Sequence, residues 1–279
     1  MTDNEDQKTY WSDKAGQSWV ALQDVMDATL APVLDLVLDR AGLQTGQTVL
    51  DVGCGAGTST VQVAQRVGPQ GHAQGVDISD TLLAKAKDLA KATPHASFLL
   101  ADAQSYRFET NSFDHLLSRF GVMFFEDTTA AFRNMAKALK SDGKITLGAW
   151  GPAPNNPWFM IPARVAAKRL GTPPKTDRTL PGPFAFEDQN RVIEMLENAG
   201  LRDVTATTHH LMLTPPAGLE EVADQCFAIG PVSRVVEHFN GTAEDVAAIH
   251  EGIIEEFSPF QTPNGIQIPA DINLFEARV

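Results

Sequence analysis

Acidic side chains and glycines at fixed distances carry the chemistry legible in this chain. Asp51 stands two residues ahead of Gly53-Cys54-Gly55-Ala56-Gly57. A short apolar run, Val49 to Val52, leads into that turn, and a helix-like segment, Thr58 to Val67, leaves it at once. Glycine lacks Cβ and tolerates positive φ, so a ligand can approach such a turn closely. The helix that follows offers unpaired N–H groups and the positive end of its dipole. Twenty residues past Gly57 a second strand-like run ends in Asp77, placed to accept hydrogen bonds from ribose hydroxyls. The pattern predicts a nucleoside-binding βαβ unit.

Spacing selects among nucleosides. A dinucleotide fingerprint, G-x-G-x-x-G, requires glycine at position 58, where Thr58 stands, which leaves a nicotinamide dehydrogenase a distant reading. The stretch Asp51-Val52-Gly53-Cys54-Gly55-Ala56-Gly57 instead resembles the first motif of class I S-adenosylmethionine (SAM) methyltransferases. SAM has no pyrophosphate, so the resemblance implies that the turn holds a methionine moiety. Leu99-Leu100-Ala101-Asp102-Ala103 resembles the motif after the third strand, where the acid meets the adenine amino group and the next N–H, here Ala103, a ring nitrogen. Phe113 to Phe120 resembles the strand-four motif, whose carbonyl near Ser118 or Arg119 would accept from the methionine ammonium. Leu139-Lys140-Ser141-Asp142-Gly143-Lys144 resembles the "L-K-P-G-G" turn before strand five, with Ser141 and Asp142 replacing proline and a glycine. On this reading Asp51 anchors the ammonium through the loop, Asp77 takes both ribose hydroxyls and Ile78 offers adenine an apolar face. The resemblance covers about residues 10–150 well and the last strands loosely, and lies nearest the quinone-biosynthesis and related small-molecule methyltransferases.

Candidates for the acceptor side are less specific. Phe120-Gly121-Val122-Met123-Phe124-Phe125 follows strand four directly and reads either as core packing or as a pocket wall formed by Phe120 and Met123. Arg119 would neutralise an anionic acceptor or form a surface ion pair. Trp150, Asn155, Asn156, Trp158, Met160, Phe184 and Phe186 would line a lid or a satellite core, while Tyr10, Trp11 and Trp19 would close the cofactor site from the N-terminal side. His209 and His210 lie in a strand, so alternation aims them at opposite faces; His210 is the candidate general base, and both also read as structural. His115 reads as a packing residue. No metal is expected, because a cation beside Arg119 at the end of strand four is disfavoured.

Strands alternating with helices position these groups. One helical region, 13–42, stops at Gly42. Strands follow at 48–52, 72–77, 97–101, 113–118 and 144–150, with helices at 58–67, 79–92 and 128–139 between them. Beyond Trp150 come a helix at 160–170, another at 187–199, a strand at 204–213, a mostly helical stretch at 217–258 and a final strand at 272–279. This predicts an α/β fold with a Rossmann-like, seven-stranded, mostly parallel sheet. The units are an N-terminal helical cap (1–45), a SAM-binding core (46–150, continued at 187–213 and 272–279) and two lid insertions (151–186 and 214–271).

At 279 residues, with 43% hydrophobic and 20% charged side chains, the composition is that of a globular protein. The formal charge of −13 opposes binding to phosphate backbones, so neither nucleic acid nor membrane is an expected partner. An acidic N-terminus and no bilayer-length apolar run make a cytoplasmic location the expectation. Cys54 and Cys226 provide neither a disulfide framework nor a metal set. The expected activity is methyl transfer from SAM to a small, partly apolar molecule. A cyclase or decarboxylase using the same cofactor, or a SAM-binding protein without turnover, shares these motifs. Oligomeric state and acceptor atom are not encoded in any motif.

Overall fold

A computed structural model describes residues 4–279; residues 1–3 of the expected cap lie outside it. The stretch 13–42 that reads as one helical region holds three helices, α2 (Lys14–Ala21), α3 (Gln23–Thr29) and α4 (Ala31–Ala41), and α1 (Glu5–Ser12) precedes them. Pro32 in the first turn fits the start of α4; no glycine or proline marks the breaks at Asp13 and Leu22. Val33, Leu34, Val37, Leu38 and Ala41 form the buried stripe of α4, which Gly42 ends at φ +56°.

The core follows in order: β1 (Thr48–Val52), α5 (Thr58–Val67), β2 (His72–Asp77), α6 (Asp80–Leu89), β3 (Ala96–Leu100), β4 (Phe113–Arg119), α7 (Thr128–Ala136) and β5 (Leu139–Trp150). Ser79 caps α6 by accepting from Leu82 N at 3.2 Å. After β5 come α8 (Pro157–Leu170), α9 (Gln189–Asn198), β6 (Arg202–Leu213), α10 (Leu219–Ile229), α11 (Val232–His238) and α12 (Ala243–Phe257). A small hairpin, β7 (Gln261–Thr262) and β8 (Gly265–Ile266), precedes β9 (Ile268–Arg278).

Seven strands form one sheet in the order β3-β2-β1-β4-β5-β9-β6, with β9 antiparallel to both neighbours and β1 to β5 parallel. This is the expected Rossmann-like, mostly parallel sheet. Chain order reverses between β1 and β4, which opens a crevice beyond their carboxyl ends. Asp51 pairs with Gly75 and Leu117, and Asp77 with Leu100, so register alone brings the candidate acids to one edge.

Two boundaries differ from expectation. Ser141 to Gly143 do not precede β5 as a separate turn but bulge within it, with Asp142 at φ +60° and pairing jumping from Phe113–Leu139 to His115–Lys144. β9 begins at Ile268 rather than Ile272, with Pro269 accommodated near its start opposite Met212 of edge strand β6. The segments on either side of β6 pack against each other. α8 packs on α11 and α12, and α10 packs on α12, α8 and back onto α2. Trp158, Ile161, Val222, Cys226, Ile249 and Phe257 belong to the buried cluster they share with the sheet.

Candidate functional site at the sheet crevice

The loops after β1 and β4 meet backbone to backbone. A Cβ on Gly53 would stand 2.5 Å from Gly121 Cα, and one on Gly121 2.6 Å from Gly53 Cα, so glycine is required at both. Gly55 differs: its φ is +55° and a Cβ would meet nothing within 4 Å, which leaves an open cradle on that side of the turn. Gly57 caps α5 at φ +94°.

Asp77 is buried beneath the turn, accepting from Gly55 N at 2.8 Å and from Ser79 N at 2.9 Å. Burial pushes its pKa up, and the N–H donors of Ser79, Gly55 and Ile78 pull it back. Asp51 is fully buried, and its Oδ2 accepts from Ser59 Oγ and Thr60 Oγ1, both at 2.6 Å. Its Oδ1 has no partner. Burial raises its pKa, against the hydroxyls of Ser59 and Thr60 and the charge of Arg119.

Arg119 ends β4 with Nη2 3.3 Å from Asp27 Oδ1 and Nη1 buried without a partner. Asp27 Oδ2 in turn accepts from Thr58 Oγ1 at 2.5 Å. Gln23 donates to Thr58 Oγ1 at 3.2 Å and to the Ala56 carbonyl at 3.4 Å, and its Oε1 is buried and unpaired. Ser118 does not offer its hydroxyl to the crevice: it donates to the Val52 carbonyl at 2.7 Å.

On the β2–β3 side, Ile78 and Leu100 line an open cleft of about 280 Å³ together with Glu5, Lys8, Thr9 and Ser12 of α1. Asp102 accepts from Gln104 N at 2.9 Å, and both its oxygens accept from Asn4 Nδ2 at 3.0 Å. Asn4 Oδ1 accepts from Glu126 N at 2.9 Å, tying the start of the described chain to this corner. Ala103 is buried beside Asp102.

The aromatic candidates divide. Phe120 holds a left-handed φ of +69°, rare for a bulky residue, and lies flat on Trp150 with ring centroids 4.5 Å apart. Phe159 meets Trp150 edge-on at 5.0 Å, and Phe184 meets Phe159 likewise. Trp19 is half-buried against Trp11, which also meets Phe124 at 5.2 Å. Met123 and Trp158, only 1% and 4% exposed, pack inside the core.

His210 is not brought to this cluster. Its imidazole is 81% exposed on edge strand β6, bonded to Asp271 at 2.5 Å, and β5 and β9 separate that strand from β4, roughly 14 Å at ~4.8 Å per strand. A base in open solvent on the far edge has no wall to hold a substrate against it. His209 bonds Thr207 Oγ1 on the same strand. His115 is buried, bonds Thr146 Oγ1 at 3.0 Å, and has its pKa lowered to about 4 by burial. Among the described residues no group of three or more His, Cys, Asp or Glu side chains could hold a metal ion, and no helix is long and apolar enough to cross a membrane.

Sequence reasoning missed Asn4, Gln23, Asp27 and Gly121. Gln23 and Asp27 are one helical turn apart on a segment that also carries Asp24 and Thr29, so no local pattern singles them out and only the fold brings them to the glycine turn.

A family profile described as a methyltransferase domain matches residues 49–143. Nocamycin O-methyltransferase of Saccharothrix syringae is 30% identical over 211 residues, covering 70% of this chain and 75% of that protein. Phosphoethanolamine N-methyltransferase 2 of Caenorhabditis elegans is 36% identical over 118 residues, 41% of this chain but 26% of the longer protein. Among solved structures, phosphoethanolamine N-methyltransferase 2 of Haemonchus contortus, in complex with phosphomonomethylethanolamine and S-adenosylhomocysteine, superposes with a TM-score of 0.52 at 21% identity. It covers 88% of this chain and 52% of that one, and shares the fold. The chain is therefore a SAM-dependent enzyme, and it belongs to the class I S-adenosylmethionine-dependent methyltransferases.

Proposed function

We propose that the chain holds SAM along the carboxyl ends of β1 to β4 and methylates a small, partly apolar acceptor seated between the ends of β4 and β5 and the helical cap. The observation that carries this is a pair of unpaired, oppositely charged groups at one end of the crevice, Asp51 Oδ1 and Arg119 Nη1. An orphaned buried polar atom costs about 1–3 kcal/mol, and the ammonium and carboxylate of a methionine moiety answer both. Asp77 retains lone pairs for ribose hydroxyls. Ile78 and the cleft beside it take adenine, Asp102 and the Ala103 N–H meet its edge, and Gly53, Gly55 and Gly57 shape the turn beneath the ligand. The carbonyl of Ser118 or Arg119 completes the ammonium shell.

SAM supplies an activated methyl group on a sulfonium. The residues of the chain then have mainly to align the acceptor, which is worth on the order of 7–11 kcal/mol when the geometry is good. The Phe120–Trp150 stack and its continuation through Phe159 and Phe184 offer an apolar wall that excludes water. A small acceptor agrees with the acidic chain and with the relatives' names, which specify small molecules. His210 has no part in this reading.

Calorimetric titration with SAM and, separately, with NADH tests it. SAM binds and NADH does not; Asp77→Ala weakens SAM by about tenfold or more, since it removes a charged hydrogen-bond acceptor. A wild-type protein that ignores SAM overturns the site.

A further inference from the structure

We infer that Gln23 of α3 binds the amino-acid end of the cofactor directly, with Asp27 as the positioning residue for Arg119. The inference rests on the cofactor site proposed above and extends it to an N-terminal segment outside the nucleoside-binding motifs.

Gln23 is 3% exposed. Its amide orientation is set by the Ala56 carbonyl, which can only accept, so Nε2 takes that bond and Oε1 is the atom left over. Nε2 also reaches Thr58 Oγ1, whose own proton goes to Asp27 Oδ2. Each donor in this chain of bonds is thereby used, and Gln23 Oε1 is left as a buried acceptor without a donor. Asp51 Oδ1 is a second such acceptor, and Arg119 Nη1 a buried donor without an acceptor. All three side chains adjoin the Gly53–Thr58 turn or the strand end beside it, through Ala56, Ser59 and Asp27 respectively. Two acceptors and one cationic donor match an ammonium and a carboxylate on a single carbon.

Asp27 does not offer a free atom. Both oxygens are engaged, one by Thr58 and one by Arg119 Nη2. That bond leaves Arg119 Nη1 as the arm available to the carboxylate. Helix α3 therefore ties the turn after β1 to the end of β4 and adds a recognition atom of its own. The site then discriminates against nucleosides that lack the amino-acid arm.

The test compares S-adenosylhomocysteine with 5′-methylthioadenosine, which keeps the nucleoside and thioether but lacks the amino acid. Dissociation constants are measured by calorimetry for wild type, Gln23→Leu and Asp27→Asn. Gln23→Leu weakens S-adenosylhomocysteine about tenfold or more and leaves methylthioadenosine within about twofold. Asp27→Asn likewise narrows the ratio between the two ligands. Unchanged methylthioadenosine binding shows that each variant is folded. Loss of both ligands in parallel, or of neither, overturns the assignment while leaving the cofactor site standing. Wild-type protein that binds neither nucleoside overturns both.

Discussion

At the scale of single residues, Asp51 couples stability to binding. Its charge is buried with one oxygen unpaired, and burial raises its pKa above the ordinary 3.8. A carboxyl raised in this way contributes stability that is whole below 3.8 and is lost as pH rises through the raised value. Asp51→Asn keeps an acceptor for Ser59 and Thr60 but removes the buried charge. Its Tm therefore gains on wild type as pH rises above about 4, while SAM binding weakens about tenfold. Thermal unfolding across pH, paired with titration, checks this; a Tm difference that shrinks with rising pH refutes it. Such trade-offs are expected where a site stores an unpaired charge for its ligand.

At the scale of elements, the decisive contact is between the turns after β1 and β4. Gly53 and Gly121 approach so closely that a methyl group on either overlaps the other's backbone. Gly121→Ala must push the turns apart, and this displaces both the glycine turn and the left-handed Phe120 that lies on Trp150. The expected outcome is a folded sheet by circular dichroism with SAM affinity reduced about tenfold or more. Retained affinity would show that the two turns move independently. Positive φ at Phe120, in a position where asparagine or glycine is commoner, places strain at the proposed acceptor wall, where strained backbone tends to cluster.

For the whole molecule, the proposed acceptor side is assembled from three separated stretches. Helix α2 meets α10, which packs with α8 and α12, and α8 in turn packs on β9. Residues some 200 positions apart thereby share one roof. No cluster of acids, histidines or cysteines among the described residues could hold a metal, and Arg119 occupies the end of β4 where a cation would have to sit. Methyl transfer measured with labelled SAM is therefore expected to be unchanged by EDTA. Abolition by the chelator, with rescue by a divalent cation, would overturn that.

Local chemistry made half of this molecule legible without coordinates. Glycine spacing, an acid at the end of the next strand and alternating strand and helix periods are properties of neighbouring residues. Asp51, Gly53, Gly55, Gly57, Asp77 and Asp102 could thus be located, along with a seven-stranded, mostly parallel sheet. Hydrophobic periodicity did not divide residues 13–42 into three helices, because the break at Leu22 carries no glycine or proline and the one at Leu30 is marked only by Pro32. Nor did it reveal that Gln23 reaches Ala56 or that Asp27 joins Thr58 to Arg119. Strand alternation indicated that His209 and His210 point apart, yet only the sheet order put β6 on the far edge, with His210 in solvent. The sequence determined the nucleoside-binding unit because its contacts are local. The tertiary structure decided the rest, since the links from Gln23 to Ala56 and from Thr58 through Asp27 to Arg119, and the packing of the cap, depend on contacts that only folding brings within a few ångströms.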